Sequence, residues 1–271
     1  MAWGESIDVV LRPNELRLSR RSALTPWREF GARAFSVAPL AQGEAWRASV
    51  ERLGAALREM RARRASVHVV ISDFFVRYAL AAWNASLVAD SERLAFARLA
   101  FRDIYGPPAD TWELCLDQQP AGQASLAGAM DRGLLQALRD AAAGQGMRLG
   151  SVIPALAARI NRHRGAFKGK DFCLAAVEPG RLTLAFHGAA GWLSVRGRRL
   201  DGALAQELPA ALKQEAAAGA VANGGNLYLA GEELAGLAPF SVPGWRVTRL
   251  PENGIRPAAP VASLASAPVA K

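Results

Sequence analysis

Residues 171–187, DFCLAAVEPGRLTLAFH, run as an apolar segment, a Pro179-Gly180 turn and a second apolar segment, the pattern of two strands folded back on each other. Residues 6–20, SIDVVLRPNELRLSR, repeat it with an apolar run, a turn signal at Pro13-Asn14, then Leu16 and Leu18 alternating with polar neighbours. Each hairpin is followed by a third strand, a long helix and another strand. A pattern that recurs in this way predicts one architecture built twice.

In chain order, residues 22–29 with Thr25-Pro26-Trp27 read as a loop and 32–37 as the third strand of the first meander. Residues 44–64 form the clearest helix, with Trp46, Val50, Leu53, Leu57 and Met60 recurring every three or four positions. The run VHVVI at 67–71 is apolar on both faces, as a central parallel strand requires. A strand at 74–83, a helix at 91–105 ended by Gly106-Pro107-Pro108 and a strand at 111–117 then make a small insert, about 74–120. A helix at 126–143, a strand at 147–153 and a helix opening at Pro154 complete the first half.

The second half is leaner: strands at 172–177, 181–186 and 191–195, a helix at 202–218, and strands at 226–230 and 245–250 with a further helix between them. Three strands, helix, strand, helix, strand is the order of a ribonuclease H-like unit. The expected class is therefore α/β, with two such units in the actin-like plan: mixed sheets flanked by helices, a first lobe over 1–165 and a second over 166–250. The Pro- and Ala-rich stretch 251–271 lacks periodicity and is expected to be a flexible tail.

Composition narrows the function. With 51% hydrophobic residues and seven Trp, 271 residues can bury a core without metal or disulfide staples. Cys115 and Cys173 sit apart in apolar runs, and the three histidines are dispersed, so neither spacing suits a zinc site. No apolar run is long enough to span a bilayer and no secretory signal pattern opens the chain, so a cytoplasmic location is expected. The net charge of +9 gathers at Arg61, Arg63 and Arg64, at Arg159, Arg162, Arg164, Lys168 and Lys170, and at Arg196, Arg198 and Arg199. A solvated face is the first reading, an anionic membrane or acidic protein partner the second, and nucleic acid the last, since stacking aromatics are not interleaved.

The run from Val69 to Tyr78, VVISDFFVRY, the later Trp83, and the segment 101–106 resemble the actin-like cytoplasmic components of type IV pilus and type II secretion platforms, the PilM and GspL type. The insert after the fourth strand stands where that bacterial branch carries its extra subdomain. The resemblance implies a protein at the cytoplasmic face of the inner membrane that binds short segments of bitopic membrane proteins and communicates with a motor ATPase. Tyr78 and Trp83 are its candidate partner-binding aromatics.

An actin-like nucleotide site holds phosphates between two hairpin tips, each with an acid near its first strand's end and small residues whose N–H groups approach the phosphates. The candidate cleft residues are Asp8, Glu178, Gly180, Gly224, Gly225 and Gly231. The first tip instead carries bulky residues up to Arg12-Pro13, and in the second Pro179 removes a donor. The expectation is a catalytically silent scaffold with no cofactor. The alternatives are an ATP- and magnesium-binding member of the same machinery, and a ribonuclease H-like nuclease using Asp8, Glu51 or Glu59, and Asp73 with metal ions.

Overall fold

The structure is a computed structural model describing residues 5–22, 25–38, 44–62, 64–219, 221 and 223–252. The first lobe is built from β1 (Glu5–Leu11), β2 (Glu15–Ser22), β3 (Thr25–Ser36), α1 (Arg47–Met60), β4 (Ser66–Ile71), the insert, α3 (Arg132–Ala143), β8 (Arg148–Pro154) and α4 (Ala155–Phe167). The insert holds β5 (Val76–Ala81), α2 (Asp90–Tyr105), β6 (Trp112–Leu116) and β7 (Ser125–Asp131). The second lobe follows with β9 (Phe172–Glu178), β10 (Arg181–Gly188), β11 (Gly191–Arg199), α5 (Leu204–Ala217), β12 (Gly225–Ala230) and β13 (Trp245–Arg249).

The duplication is visible in strand order. One sheet runs β3-β2-β1-β4-β8 and the other β11-β10-β9-β12-β13, each an antiparallel meander continued by two parallel strands. The strand joining meander to parallel half is the most buried of each lobe's meander: β1 buries Ile7, Val9 and Leu11 on one face and Asp8 on the other, and all of β9 is buried. In the first lobe, Val50, Leu53, Leu57 and Met60 of α1 and Leu134, Leu135 and Leu138 of α3 pack against Leu16, Leu18, Val67 and Val69. α5 covers the second sheet with Leu204, Leu208 and Leu212. Between the lobes, Phe167 at the end of α4 stacks on Phe172 of β9 with ring centroids 4.4 Å apart and planes 13° from parallel. Tyr228 and Trp192 meet these rings edge-on, fixing the joint by apolar contact.

Several elements depart from the sequence expectation. β3 begins at Thr25, inside the expected loop, and pairs with β2; as an edge strand it tolerates Pro26, which falls in an irregularity of the β2–β3 register. The expected helix at 126–143 divides into β7 and α3, the change marked by Asp131, whose side chain caps α3 by accepting from the Leu134 N–H. β7 is the middle strand of the insert sheet β5-β7-β6, and small residues suit it because Gly128 lies against Cys115, the Tyr78 ring and Pro154. Leu126, Met130 and Leu134 mimic helical spacing, and short apolar runs do not separate the two periods. In the second lobe the expected helix between β12 and β13 is a single 3-10 turn, Glu232–Leu234. Glu252, assigned by sequence to the tail, has its side chain enclosed against Arg159 of α4, whereas 253–271 lie outside the described residues.

The insert reaches the second lobe. The Ala124 N–H donates to Ala190 O (3.0 Å), the Trp192 N–H to Ala124 O (3.3 Å), and the Trp192 indole N–H to Asp117 Oδ2 (2.6 Å). Among the described residues, no helix is long and apolar enough to cross a membrane.

Candidate functional site

The two hairpin tips face each other across the lobe junction. β1 hands over to Arg12-Pro13-Asn14-Glu15, closed by the Arg12 N–H on Glu15 O (2.9 Å), and β9 to Glu178-Pro179-Gly180-Arg181, closed by the Glu178–Arg181 pair. Both are two-residue turns led by proline, whose fixed φ suits that position, and Gly180 takes the left-handed conformation (φ 71°) that its turn requires. Arg12 and Glu178 thus hold equivalent places, as do Glu15 and Arg181, with the charges exchanged.

Each tip is gripped by the opposite lobe. Arg12, 3% exposed, donates through Nη1 to Glu15 Oε2 (2.7 Å) and through Nη2 to Glu232 Oε2 (3.1 Å), just past β12. Arg17 donates to the same Glu232 oxygen (2.5 Å) and to Glu15 Oε1 (2.8 Å), making a closed four-residue network. Burial alone would raise the Glu232 pKa, but Arg12 and Arg17 together outweigh it and hold the carboxyl below its usual range. From the other side, Glu178 Oε2 accepts from the Ser72 hydroxyl (3.1 Å) and the Asp73 N–H (2.9 Å), just past β4.

Asp73 is wholly buried. Its Oδ1 accepts from the Tyr78 hydroxyl (2.5 Å) and from the Leu156 N–H in the first turn of α4 (3.0 Å), where the helix dipole favours a carboxylate. One turn along α4, Arg159 is 1% exposed, donating to Glu252 Oε1 (3.1 Å) and Val177 O (3.4 Å). Burial raises the Glu178 pKa to about 7, the Asp73 charge adds to the rise, and Arg159 and Arg12 oppose it. Burial also raises Asp73, against the pull of Arg159. The negative charge of Asp73 therefore opposes ionisation of Glu178.

The sequence-predicted residues fall into separate places. Glu178 and Gly180 are in the second tip, and Gly231 ends β12 at the same junction, where a Cβ would collide with the Val177 carbonyl oxygen. Asp8 sits three residues back along β1, paired with Arg21 rather than aimed at the tips. Gly224 and Gly225 lie at the start of β12, beside Gly244, at the end of the sheet away from Glu178; the structure does not bring them to the junction. Tyr78 is a buried ligand of Asp73, not an exposed anchor, whereas Trp83 is 50% exposed beyond β5. Of the nuclease set, Glu51 is exposed and Glu59 is engaged with Arg33 of β3 and Arg52 of α1, so neither joins Asp73. Among the described residues, no group of three or more His, Cys, Asp or Glu side chains could hold a metal ion.

Arg12, Arg159, Ser72 and Glu232 carry the junction and were not singled out by sequence. Arg159 read as part of a solvated basic run; its place on the inward face of α4 with Ala155, Leu156 and Ala158 was the available signal. The exchanged charges of RPNE and EPGR were the other.

As folded, neither tip presents a run of free N–H groups: Pro13 and Pro179 have none, and Arg12 and Glu178 span the gap with bonds to the opposite lobe. Beside the junction a cavity of about 460 Å³ is lined by Arg17, Gly231, Glu232, Arg249, Leu250 and Glu252 among others.

No protein-family model and no curated protein sequence matches the chain. Solved structures do. The cytoplasmic domain of EpsL, an inner-membrane component of the type II secretion system of Vibrio cholerae, is similar over 95% of this chain and 91% of its own, with TM-score 0.54 and 14% identity. A PilM-PilN type IV pilus biogenesis complex gives TM-score 0.63 at 14% identity over 88% of this chain and 84% of that one. A Bacteroides thetaiotaomicron protein of unknown function with an actin-like ATPase fold gives 0.57 at 9% identity over 84% and 82%. With its two sheets of one strand order and a three-stranded insert after the fourth strand, the chain has the actin-like ATPase fold.

Proposed function

We propose that the chain is a catalytically silent, actin-like scaffold of a pilus or secretion platform, acting at the cytoplasmic face of the inner membrane by binding short segments of membrane partners. The likeness to the EpsL cytoplasmic domain and to a PilM-PilN complex supports the machinery, and the insert's half-exposed Trp83 offers a partner an aromatic anchor. The observation that carries the silent reading is the reciprocal grip on the tips: Arg12 on Glu232 in one direction, Ser72 and Asp73 on Glu178 in the other. A triphosphate entering there would displace buried ion pairs, meet two prolines without N–H groups and place its charge beside Asp73 and Glu178. Each of these opposes binding.

Thermal unfolding of the full chain with and without millimolar Mg-ATP tests the silent reading. The expected result is no shift; a ligand at a hundred times its dissociation constant adds about 2.7 kcal/mol, so a clear rise in Tm overturns it. Co-purification with bitopic inner-membrane proteins, reduced by Trp83→Ala, tests the scaffold role.

A further inference from the structure

The first lobe carries a second feature, at the end of its sheet away from the hairpin tips. α1 ends where β4 begins and α3 ends where β8 begins, while α4 starts past β8 and returns to the same end. Topology therefore collects the C-termini of three helices at the base of the lobe. Arg58 and Arg61 lie at the end of α1, Arg64 precedes β4, and Arg164 and Lys168 close α4. All five are exposed, and none has a carboxylate partner among the described residues. Glu59, beside Arg58 in sequence, is occupied by Arg33 and Arg52, and the exposed Asp171, three residues after Lys168, forms no ion pair with it.

Between the helix ends is a cavity of about 780 Å³, lined by Arg58, Arg61, Arg64, Gln145 and Gly146 over Leu57 and Met147, without an acidic side chain. Arg61 and Arg64 hold left-handed backbone, φ 49° and 60°, the two non-glycine residues that do so among those described. Glycine would be less strained at both positions, and at Arg61 the conformation ends α1, its N–H bonding Arg58 O.

We infer that this base is a docking surface for an anionic lipid bilayer, with one headgroup phosphodiester taken into the cavity between Arg58, Arg61 and Arg64. Arginine pairs with phosphate oxygens through two parallel N–H bonds, and three around one concavity surround such a group. Further unpaired cations on α4, off the cavity, suit an extended charged plane rather than a single soluble anion. Among the described residues, the exposed aromatics Phe74 and Trp83 lie at the junction and the insert, and none of the cavity's lining residues is aromatic, a poor match for single-stranded nucleic acid. Docked in this way, the hairpin tips at the far ends of β1 and β9 point away from the bilayer.

The test is flotation of the full chain with phosphatidylcholine vesicles, with and without phosphatidylglycerol, at physiological salt. The double variant Arg61→Gly and Arg64→Gly removes two cations while relaxing both backbone positions, so it should fold at least as well as the parent. The expected result is binding only to phosphatidylglycerol vesicles, weakened about thirtyfold in this variant, at about a factor of ten or less per cation. The paired loss of Arg198 and Arg199 to serine on β11 should change binding by less than about threefold. No flotation, equal weakening by the two double variants, tighter binding to DNA than to the vesicles, or stabilisation by inorganic phosphate without flotation would each overturn the inference.

Discussion

Arg12 and Glu178 are the same residue of the same turn in the two lobes, and they carry opposite charge. Each leaves its first strand, precedes a proline and reaches the segment just beyond the other lobe's fourth strand. The lobes are held at the tips by this exchange. One half is an ion pair with four members, the other a carboxyl bonded to a hydroxyl and a backbone N–H, so the two halves respond differently to substitution and to pH.

Removing Arg12 leaves Glu15 and Glu232 with Arg17 alone, and Arg17 is partly exposed. Arg12→Ala should destabilise the chain by about 3 kcal/mol in urea unfolding, because a partly buried charge loses its partner. Arg17→Ala should cost about 1 kcal/mol or less. A double-mutant cycle between Arg12→Ala and Glu232→Gln should give a coupling of about 1 kcal/mol or more, and additivity would mean that the contact across the lobes contributes nothing.

The Glu178 carboxyl has a folded pKa of about 7 against an ordinary 4.5. A raised acid binds its proton more tightly folded than unfolded, so its stabilising contribution is complete below about pH 4.5 and is lost as pH rises through 7. Asp73, also raised by burial, acts in the same direction. His68, His163 and His187 are lowered by burial and act oppositely around pH 6. The difference between Glu178→Gln and the parent follows the carboxyl: it should move by about 3 kcal/mol in favour of the variant between pH 4 and pH 8. A difference independent of pH would place the proton elsewhere.

Tyr78 and Trp83 look alike in sequence and should behave unlike. Tyr78→Phe removes a donor from buried Asp73, with an expected loss of about 1–3 kcal/mol in stability. Trp83→Ala should leave stability within about 0.5 kcal/mol and act on partner binding. Chemical unfolding and a partner pull-down on both variants separate the two.

Much of the molecule is legible from local pattern. The hairpins, the stripe on α1 and the doubly apolar β4 follow from spacing alone, and their recurrence yields the duplicated plan. Pro13 and Pro179 announce tips poor in N–H donors. Local pattern misleads where the deciding contact is remote: 125–131 is a strand because β5 and β6 flank it, and Arg159 is inside because Val177 and Glu252, far along the chain, enclose it. Gly224 and Gly231 read as one glycine-rich segment, yet an extended strand carries them to opposite ends of a sheet. What the sequence determined by itself was the set of strands and helices and their twofold recurrence, since these depend on neighbours a few residues apart. Which charges meet at the lobe junction only the tertiary structure decided, because burial and pairing there are set by side chains brought together from both halves of the chain.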